Sequence, residues 1–431
     1  MRALLIAFFF PPAGGGGVQR PLKLSEHLPQ LGIETHVLAP DDPKWIHRDP
    51  GRTVPEAAIV HRAHYLGPRG RRPAEELYGT EGLERLARKL TLTPRRFLVP
   101  DLFMPWALTA IPAARKLVRQ EGIDVVITTS PPDSIHLIGA AVKQATGVRW
   151  VADLRDSLVA HPYTRTERRL VRMKGRVQAQ VGRLVASRAD AVVGVTGTIA
   201  EEMRSLNTAL RVVAIPNGAD FDDFAGLAYR PDGRLRITHT GSFFAGRDPR
   251  PFLRALAEAD ESVVARVVGD FRATDRAWAA GLDLGDRLEV QAYLPHRVSL
   301  SLQRDSEALL LLLPDTGARS QDVPSAKLFE YLAAGRPILA AVPPDGAAAQ
   351  LVDEAGAGIV VAPDDPAAIR SALDELVSRW RAGTLEIPAL EPALRARIDR
   401  FARSAEFASL LREVTSPAGA SGTRIDGRPR R

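Results

Sequence analysis

The stretch Asp322–Pro337, DVPSAKLFEYLAAGRP, places a lysine (Lys327), two carboxylates (Asp322 and Glu330) and a Gly-Arg-Pro stop on and around one short helix. Ser325 is placed to cap that helix, and Gly335 with Pro337 to end it. A helix start offers unpaired N–H groups and a positive dipole end, so the amides of Ala326 to Leu328 suit a phosphate oxygen. Lys327 adds a cation to offset diphosphate charge, and Glu330, one turn further in, is placed to accept from the two hydroxyls of a ribose. Seven residues separate Asp322 from Glu330, and Pro324 puts Asp322 in the preceding loop. This is a layout for the diphosphate and ribose of an activated sugar. The plain alternative, a capped helix with a surface Lys and Glu, stands beside it on this stretch alone. The side chains of Leu328, Phe329 and Leu332 read as core.

Three more segments have the composition of ligand loops. In THTGSFFAGRDPRPF, a strand runs into a loop flanked by Gly241 and Gly246, and a helix opens at Pro249. Gly241 and Gly246 allow close backbone approach, and Arg247 near the helix start is placed to stabilise charge on a departing diphosphate. In PPAGGGGVQR, four glycines, Gly14 to Gly17, follow the first strand. They let the chain approach a ligand closely, so Gly15, Gly16 and Gly17 are expected to line a cleft. Neither a dinucleotide fingerprint nor a P-loop is present there. TTSPPDSIHL and VADLRDS both end strands, which puts Asp153, Arg155, Asp156 and His136 at a cleft edge, where buried ion pairs and helix caps also sit. Arg155 and Asp156 are the binding candidates; His136 reads as structural.

The elements that must position these loops are legible. Short apolar strands alternate with amphipathic helices through both halves of the 431 residues, as in parallel sheets built from strand-helix-strand units. The length predicts two domains. The α/β fold class follows, with two doubly wound sheets facing a cleft. The segment Asp41–Pro100 has weak periodicity and reads as an irregular or helical insertion, with a helix near Glu81–Leu90.

With 45% hydrophobic and 25% charged residues the composition is that of a globular protein. The absence of cysteine excludes disulfides, thiolate chemistry and cysteine-bound metal. MRALLIAFFFPP breaks at Pro11-Pro12 and reads as a buried first strand, not a leader, and the expected location is the cytoplasm. A formal charge of +7 favours anionic partners, without a nucleic-acid-binding motif. Two Arg-rich amphipathic stretches, Arg85–Arg96 and Arg165–Arg188, suit either an anionic membrane surface or a core-facing helix with a solvated basic side; for the second stretch the core-facing reading is preferred.

Taken in order, PPAGGGGVQR, SPPDSIHL, WVADLRDS, VVGVTGTIAEEM, IPNGAD, TGSFFAGRDP, LPH and PSAKLFEYLAAGRPIL resemble the retaining, family 4-like glycosyltransferases of GT-B fold that build bacterial capsules, lipopolysaccharide and glycolipids. The resemblance covers nearly the whole ordered chain. It implies an acceptor domain over 1–220 and a nucleotide-sugar domain over 234–393. A helix over 394–414 would cross back to the first domain, and 415–431 would be a disordered basic tail. It implies a nucleoside-diphosphate sugar as co-substrate, a glycan or lipid-linked acceptor, polysaccharide or envelope biosynthesis, and neither cofactor nor metal.

Residue by residue, Glu330 matches the family's ribose carboxylate. Asp322 falls where the family's sugar-binding glutamate stands, with a shorter reach. The family's Gly-Arg, followed by a Lys five residues on, reads here Ser242 and Arg247, so one of two cations is missing and Lys327 is its expected replacement. The family's sugar-binding histidine corresponds to Arg155, followed by Asp156. Base recognition falls to the backbone around Leu294–His296. The expected catalytic set is thus Arg247, Lys327 and Asp322.

Two rivals stay open at this point. One is a nucleotide-sugar epimerase of the same fold, for which His239 and His296 are the available acid/base groups. The other is a non-catalytic partner that keeps the fold.

Overall fold

A strand buried on both faces of a parallel sheet needs helices over each face, and the alternation of short apolar strands with amphipathic helices supplies them twice. The computed structural model describes residues 1–41, 47–68, 82, 83, 86, 95, 98–159, 169–243, 246–315, 317 and 324–416.

The first sheet contains β1 (Arg2–Ala7), β2 (Glu34–Pro40), β3 (Ala58–Ala63), β4 (Val125–Thr129), β5 (Arg149–Leu154), β6 (Ala191–Gly194) and β7 (Arg211–Ala214). Their order is β3-β2-β1-β4-β5-β6-β7, every neighbouring pair parallel. Around it lie α1 (Gln19–Gln30), α2 (Ala107–Gln120), α3 (Ile135–Thr146), α4 (Arg169–Arg188) and α5 (Gly197–Leu206).

The second sheet contains β8 (Leu235–Thr240), β9 (Val263–Val268), β10 (Leu288–Gln291), β11 (Ala308–Leu312), β12 (Ile338–Ala341) and β13 (Gly358–Val361), in the order β10-β9-β8-β11-β12-β13, again parallel. Its helices are α6 (Arg250–Glu258), α7 (Ala273–Ala279), α8 (His296–Arg304), α9 (Ala326–Ala334), α10 (Ala347–Glu354) and α11 (Pro366–Arg381); α12 (Pro392–Ile398) and α13 (Arg400–Thr415) follow.

Period-2 alternation assigns each strand's side chains to opposite cores. Leu4 and Ile6 of β1 enter one core of the first sheet, and Ala3, Leu5 and Ala7 enter the other. On β11, Ala308, Leu310 and Leu312 face one core, and Leu309 and Leu311 the opposite one. Each such leucine contributes roughly 1.5–3 kcal/mol of burial.

Strand order reverses between β1 and β4 and again between β8 and β11. At such a reversal the loops leaving the carboxyl ends diverge and open a crevice. The glycine loop follows β1 and the 241–249 loop follows β8, so both candidate loops stand at switch points.

Three local readings differ from the structure. The insertion after Asp41 contains β3, which pairs with β2 at the sheet edge. As an edge strand it buries only its ends, Ala58 and Ala63, and leaves Ile59 exposed, so its apolar signal is weak. The single helix read over 394–414 is two. Asp399 lies extended between them, caps α13 by accepting from Ala402 N, and pairs with Ala219. Helix α2, which carries Pro112 in its interior, has no counterpart in the sequence reading. The helix expected near Glu81–Leu90 and the tail from 417 lie largely outside the described residues.

Helix α13 lies on α1, where His27 Nδ1 meets Ser404 Oγ at 2.9 Å and Phe407, Leu410 and Leu411 enter the first-domain core. Helix α4 buries Val181, Val185 and Ala186 and exposes Arg172, Met173, Arg176 and Arg183, the arrangement of a core-facing helix with a basic outer side. No described helix is long and apolar enough to cross a membrane.

Candidate active site in the interdomain cleft

Helix α9 forms as its caps dictate. Ser325 accepts from Lys327 N at its start, and Gly335 takes the left-handed conformation at its end. What aims α9 at the cleft is a buried tyrosine that sequence reasoning passed over. Tyr331 OH accepts from Thr240 N at 3.0 Å, which ties the helix to the carboxyl end of β8. Burial pushes the Tyr331 phenol up to about 12, so it stays neutral.

From that anchor Lys327 crosses over Gly241. A Cβ on Gly241 would lie 2.6 Å from Lys327 Nζ, and its φ of +109° is one that side chains disfavour, so glycine is needed there twice over. Lys327 Nζ stops 3.2 Å from His239 Nε2. His239 Nδ1 lies 2.9 Å from the Leu310 carbonyl, which requires the proton on Nδ1 and leaves Nε2 to accept from the lysine. Burial, then the Lys327 charge, hold His239 well below the usual histidine range. Burial, then the charge of Arg247, bring Lys327 down to about 7, against the opposing pull of Glu330. Arg247 is therefore electrostatically close to Lys327, as its influence on both His239 and Lys327 shows.

Glu330 is held on both oxygens. His296 Nε2 lies 3.0 Å from Oε2, and Gln303 Nε2 donates to Oε1 at 2.5 Å. Burial works to raise this carboxyl, but the His296 hydrogen bond and the Gln303 amide outweigh it, and the group lies below the ordinary carboxylate range. A cavity of about 170 Å³ opens in front of these groups, with walls from both domains.

Of the predicted residues, Gly241, Leu294, His296, Ala326, Lys327 and Glu330 line this cavity from the second domain, and Gly15, Gly16 and Arg155 line it from the first. Others stand back from it. Gly17 offers its carbonyl to Arg155 Nη1 at 2.7 Å, so Arg155 clasps the glycine loop instead of projecting freely. The Leu328 side chain is buried, and its amide is bonded to the Ser325 carbonyl at 2.9 Å and so turned inward along the helix. Ser242 and Asp156 are half-buried beside the cavity but outside its lining. Asp322 lies outside the described residues.

His136 is buried, bonded to Thr128 Oγ1 at 2.9 Å and brought down by burial to about 3, so it is a neutral core histidine. Asp153 forms a fully buried ion pair with Arg20, at 2.8 Å, which fastens α1 to the end of β5.

The structure also brings in residues that sequence reasoning missed. Tyr293, Asp49 and Arg52 line or support the cavity, and Gly15 N donates to Tyr293 OH at 3.1 Å across the two domains. Tyr293 adjoins the Leu294–His296 segment already flagged; Asp49 and Arg52 sit in a stretch with no periodic signal. Gly14 completes the fit, because a Cβ there would stand 2.1 Å from the Tyr293 oxygen.

Residues 15–218 match the family model of the glycosyl transferase 4-like domain. No curated protein matches the chain by sequence. Among solved structures, sucrose-phosphate synthase from Thermosynechococcus elongatus superposes with a TM-score of 0.62 at 18% identity, covering 96% of this chain and 98% of that one. HepE from Anabaena in complex with UDP-glucose superposes with a TM-score of 0.63 at 14% identity, covering 96% and 100%. A protein described as a putative UDP-N-acetylglucosamine 2-epimerase from Listeria monocytogenes superposes with a TM-score of 0.55 at 12% identity, covering 96% of each chain. Residues 15–218 thus match the glycosyl transferase 4-like domain, within a chain that has the two-domain GT-B fold.

Proposed function

We propose that the protein transfers a glycosyl unit from a nucleoside-diphosphate sugar to a hydroxyl of a glycan or lipid-linked acceptor, with retention at the anomeric carbon and without a metal ion. The observation that carries this reading is the pairing, at the β8/β11 switch point, of Lys327 over Gly241 with Glu330 held ready on the same cavity wall. A ribose diol would donate to Glu330 in place of His296 or Gln303. The diphosphate would lie towards Gly241, Lys327 and Arg247, at the positive end of α9.

In the reaction, the bond from the anomeric carbon to the diphosphate oxygen breaks as the bond to the acceptor oxygen forms on the same face. The acceptor proton passes to the departing diphosphate oxygen, so no side-chain base is required. Lys327 and Arg247 lower the barrier by stabilising that leaving charge. Closure of the two domains keeps water from the anomeric carbon. Asp322 is assigned to the sugar, and the backbone at Leu294–His296 to the base. Arg155 keeps the Gly15–Gly17 loop in place for the acceptor.

HepE, which has been captured with UDP-glucose, supports a nucleotide-sugar donor. The epimerase reading is weakened by His239, which is buried, neutral and engaged at both nitrogens. Incubation with a nucleotide-sugar panel, with and without glycan or lipid-linked acceptors, tests the proposal. Acceptor-dependent release of nucleoside diphosphate is expected. Conversion of the donor sugar to its epimer without acceptor would replace this reading with the rival one.

The site of action is proposed to be the cytoplasmic face of a membrane, with Arg172, Arg176 and Arg183 of α4 towards anionic headgroups.

A further inference from the structure

The cation missing at Ser242 has a second candidate replacement, on the opposite side of the cleft. Between β2 and β3 the segment from His47 to Arg52 folds along the glycine loop: Gly14 N donates to the His47 carbonyl at 3.0 Å, and Asp49 N to the Pro12 carbonyl at 3.0 Å. Together these two pieces dock on the loop between β10 and α8. His47 stacks on Tyr293 at 4.3 Å between ring centres, and its Nε2 lies 3.1 Å from Asp270 Oδ2. The Asp49 carboxylate, 1% exposed, accepts the His296 amide at 2.7 Å. Asp49 thereby holds the very backbone proposed to read the base.

Three residues on, the Arg52 side chain is 7% exposed and lines the same cavity as Lys327 and Glu330. A guanidinium carries five N–H donors. Among the described residues, one of its nitrogens has a hydrogen bond, Nη1 to Gln19 Oε1 at 2.8 Å; Nε forms an ion pair with Asp49 Oδ2 at 3.4 Å, without a hydrogen bond. Its charge is felt at Glu330 across the gap. A buried guanidinium with idle donors on a cavity wall is a preorganised partner for an anion.

We propose that Arg52 is a donor-diphosphate ligand supplied by the first domain, which takes the role left vacant at Ser242, and that Asp49 is a positioning residue that brings it there as the domains close. This rests on the nucleotide-sugar reading above. It adds a physical link between domain closure and leaving-group stabilisation. An open cleft would carry Arg52 away with the first domain, and the diphosphate would be left to Lys327 and Arg247.

The test is calorimetric binding of UDP, GDP, ADP and dTDP, each beside its monophosphate, to the full chain without acceptor. The tightest pair then serves for the variants. The wild-type protein is expected to favour the diphosphate, and Arg52→Ala to lose about tenfold or more of that preference. Arg52→Lys should recover part of it. Asp49→Ala should weaken diphosphate and monophosphate alike through the loosened His296 backbone, and should also lose part of the diphosphate preference, because Arg52 is no longer brought to the cleft. Should Arg52→Ala fail to fold, Arg52→Gln, which can still bond Gln19, carries the same comparison.

A wild-type ratio in a folded Arg52 variant that still binds nucleotide overturns this inference and leaves the donor reading standing. So does a variant whose defect is confined to the KM for acceptor. Failure of the wild-type protein to bind any of these nucleotides overturns both.

Discussion

Lys327 Nζ stands 3.2 Å from His239 Nε2, and the histidine can only accept, because its other nitrogen faces the Leu310 carbonyl. A neutral ring thus steadies the lysine without neutralising it, and the lysine's charge is left available to a ligand.

That arrangement predicts proton uptake on donor binding. With its pKa brought down to about 7, Lys327 is largely neutral at pH 8 in the free protein. A diphosphate beside it favours the charged form, so binding at pH 8 should take up about one proton, and binding at pH 5.5 should take up almost none from this group. Titration calorimetry in buffers of different ionisation enthalpy reads this directly. No uptake at pH 8 would place the diphosphate elsewhere.

The same lysine predicts a pH-dependent stability effect. Its folded pKa lies below its ordinary value of 10.5, so the unfolded chain binds more protons between about pH 7 and 10.5 and wild-type stability gains with pH across that window. Lys327→Met should therefore stabilise the protein most below pH 7, and progressively less towards pH 10. Thermal unfolding of both proteins across that range checks the sign.

Glu330→Ala removes the carboxylate that faces the cavity between His296 and Gln303. Loss of charge-assisted bonds to a ribose is expected to raise the KM for donor by about 10- to 100-fold. The substitution should leave the KM for acceptor near wild type. Steady-state kinetics with each substrate varied in turn decides it.

Gly241→Ala should be costly twice. The left-handed backbone there adds roughly 1–3 kcal/mol of strain, and the new methyl displaces Lys327 Nζ. We expect a lowered unfolding midpoint together with a fall in kcat beyond that caused by Gly246→Ala, whose added Cβ would stand at an ordinary 3.6 Å from Pro314.

Arg20→Met strands Asp153 without its partner in a site where neither side chain is more than 6% exposed. The expected loss is about 3–5 kcal/mol in denaturant unfolding. A value near zero would mean that α1 is fastened to β5 by packing alone.

Much of the fold was legible because caps, glycines and apolar runs act within a few residues of themselves. The strand over Leu235–Thr240 and the helix stopped by Gly335 are read from neighbours alone. Edge strand β3 was not, because a half-solvated strand need not be apolar, and the break at Asp399 was not, because what draws that residue out of helix is pairing with distant Ala219.

The candidate site divides along the same line. The amino-acid sequence alone determined that Lys327 and Glu330 share a capped helix and that Gly241 precedes a loop at a strand end, since helical periodicity and turn chemistry are local. Only the tertiary structure decided that Lys327 lies over Gly241 and that Asp49 meets His296 across 247 positions of chain. The first contact arises from packing within the second domain and the second from packing of the two domains against one another, and no periodicity within either segment encodes the face that the other will meet.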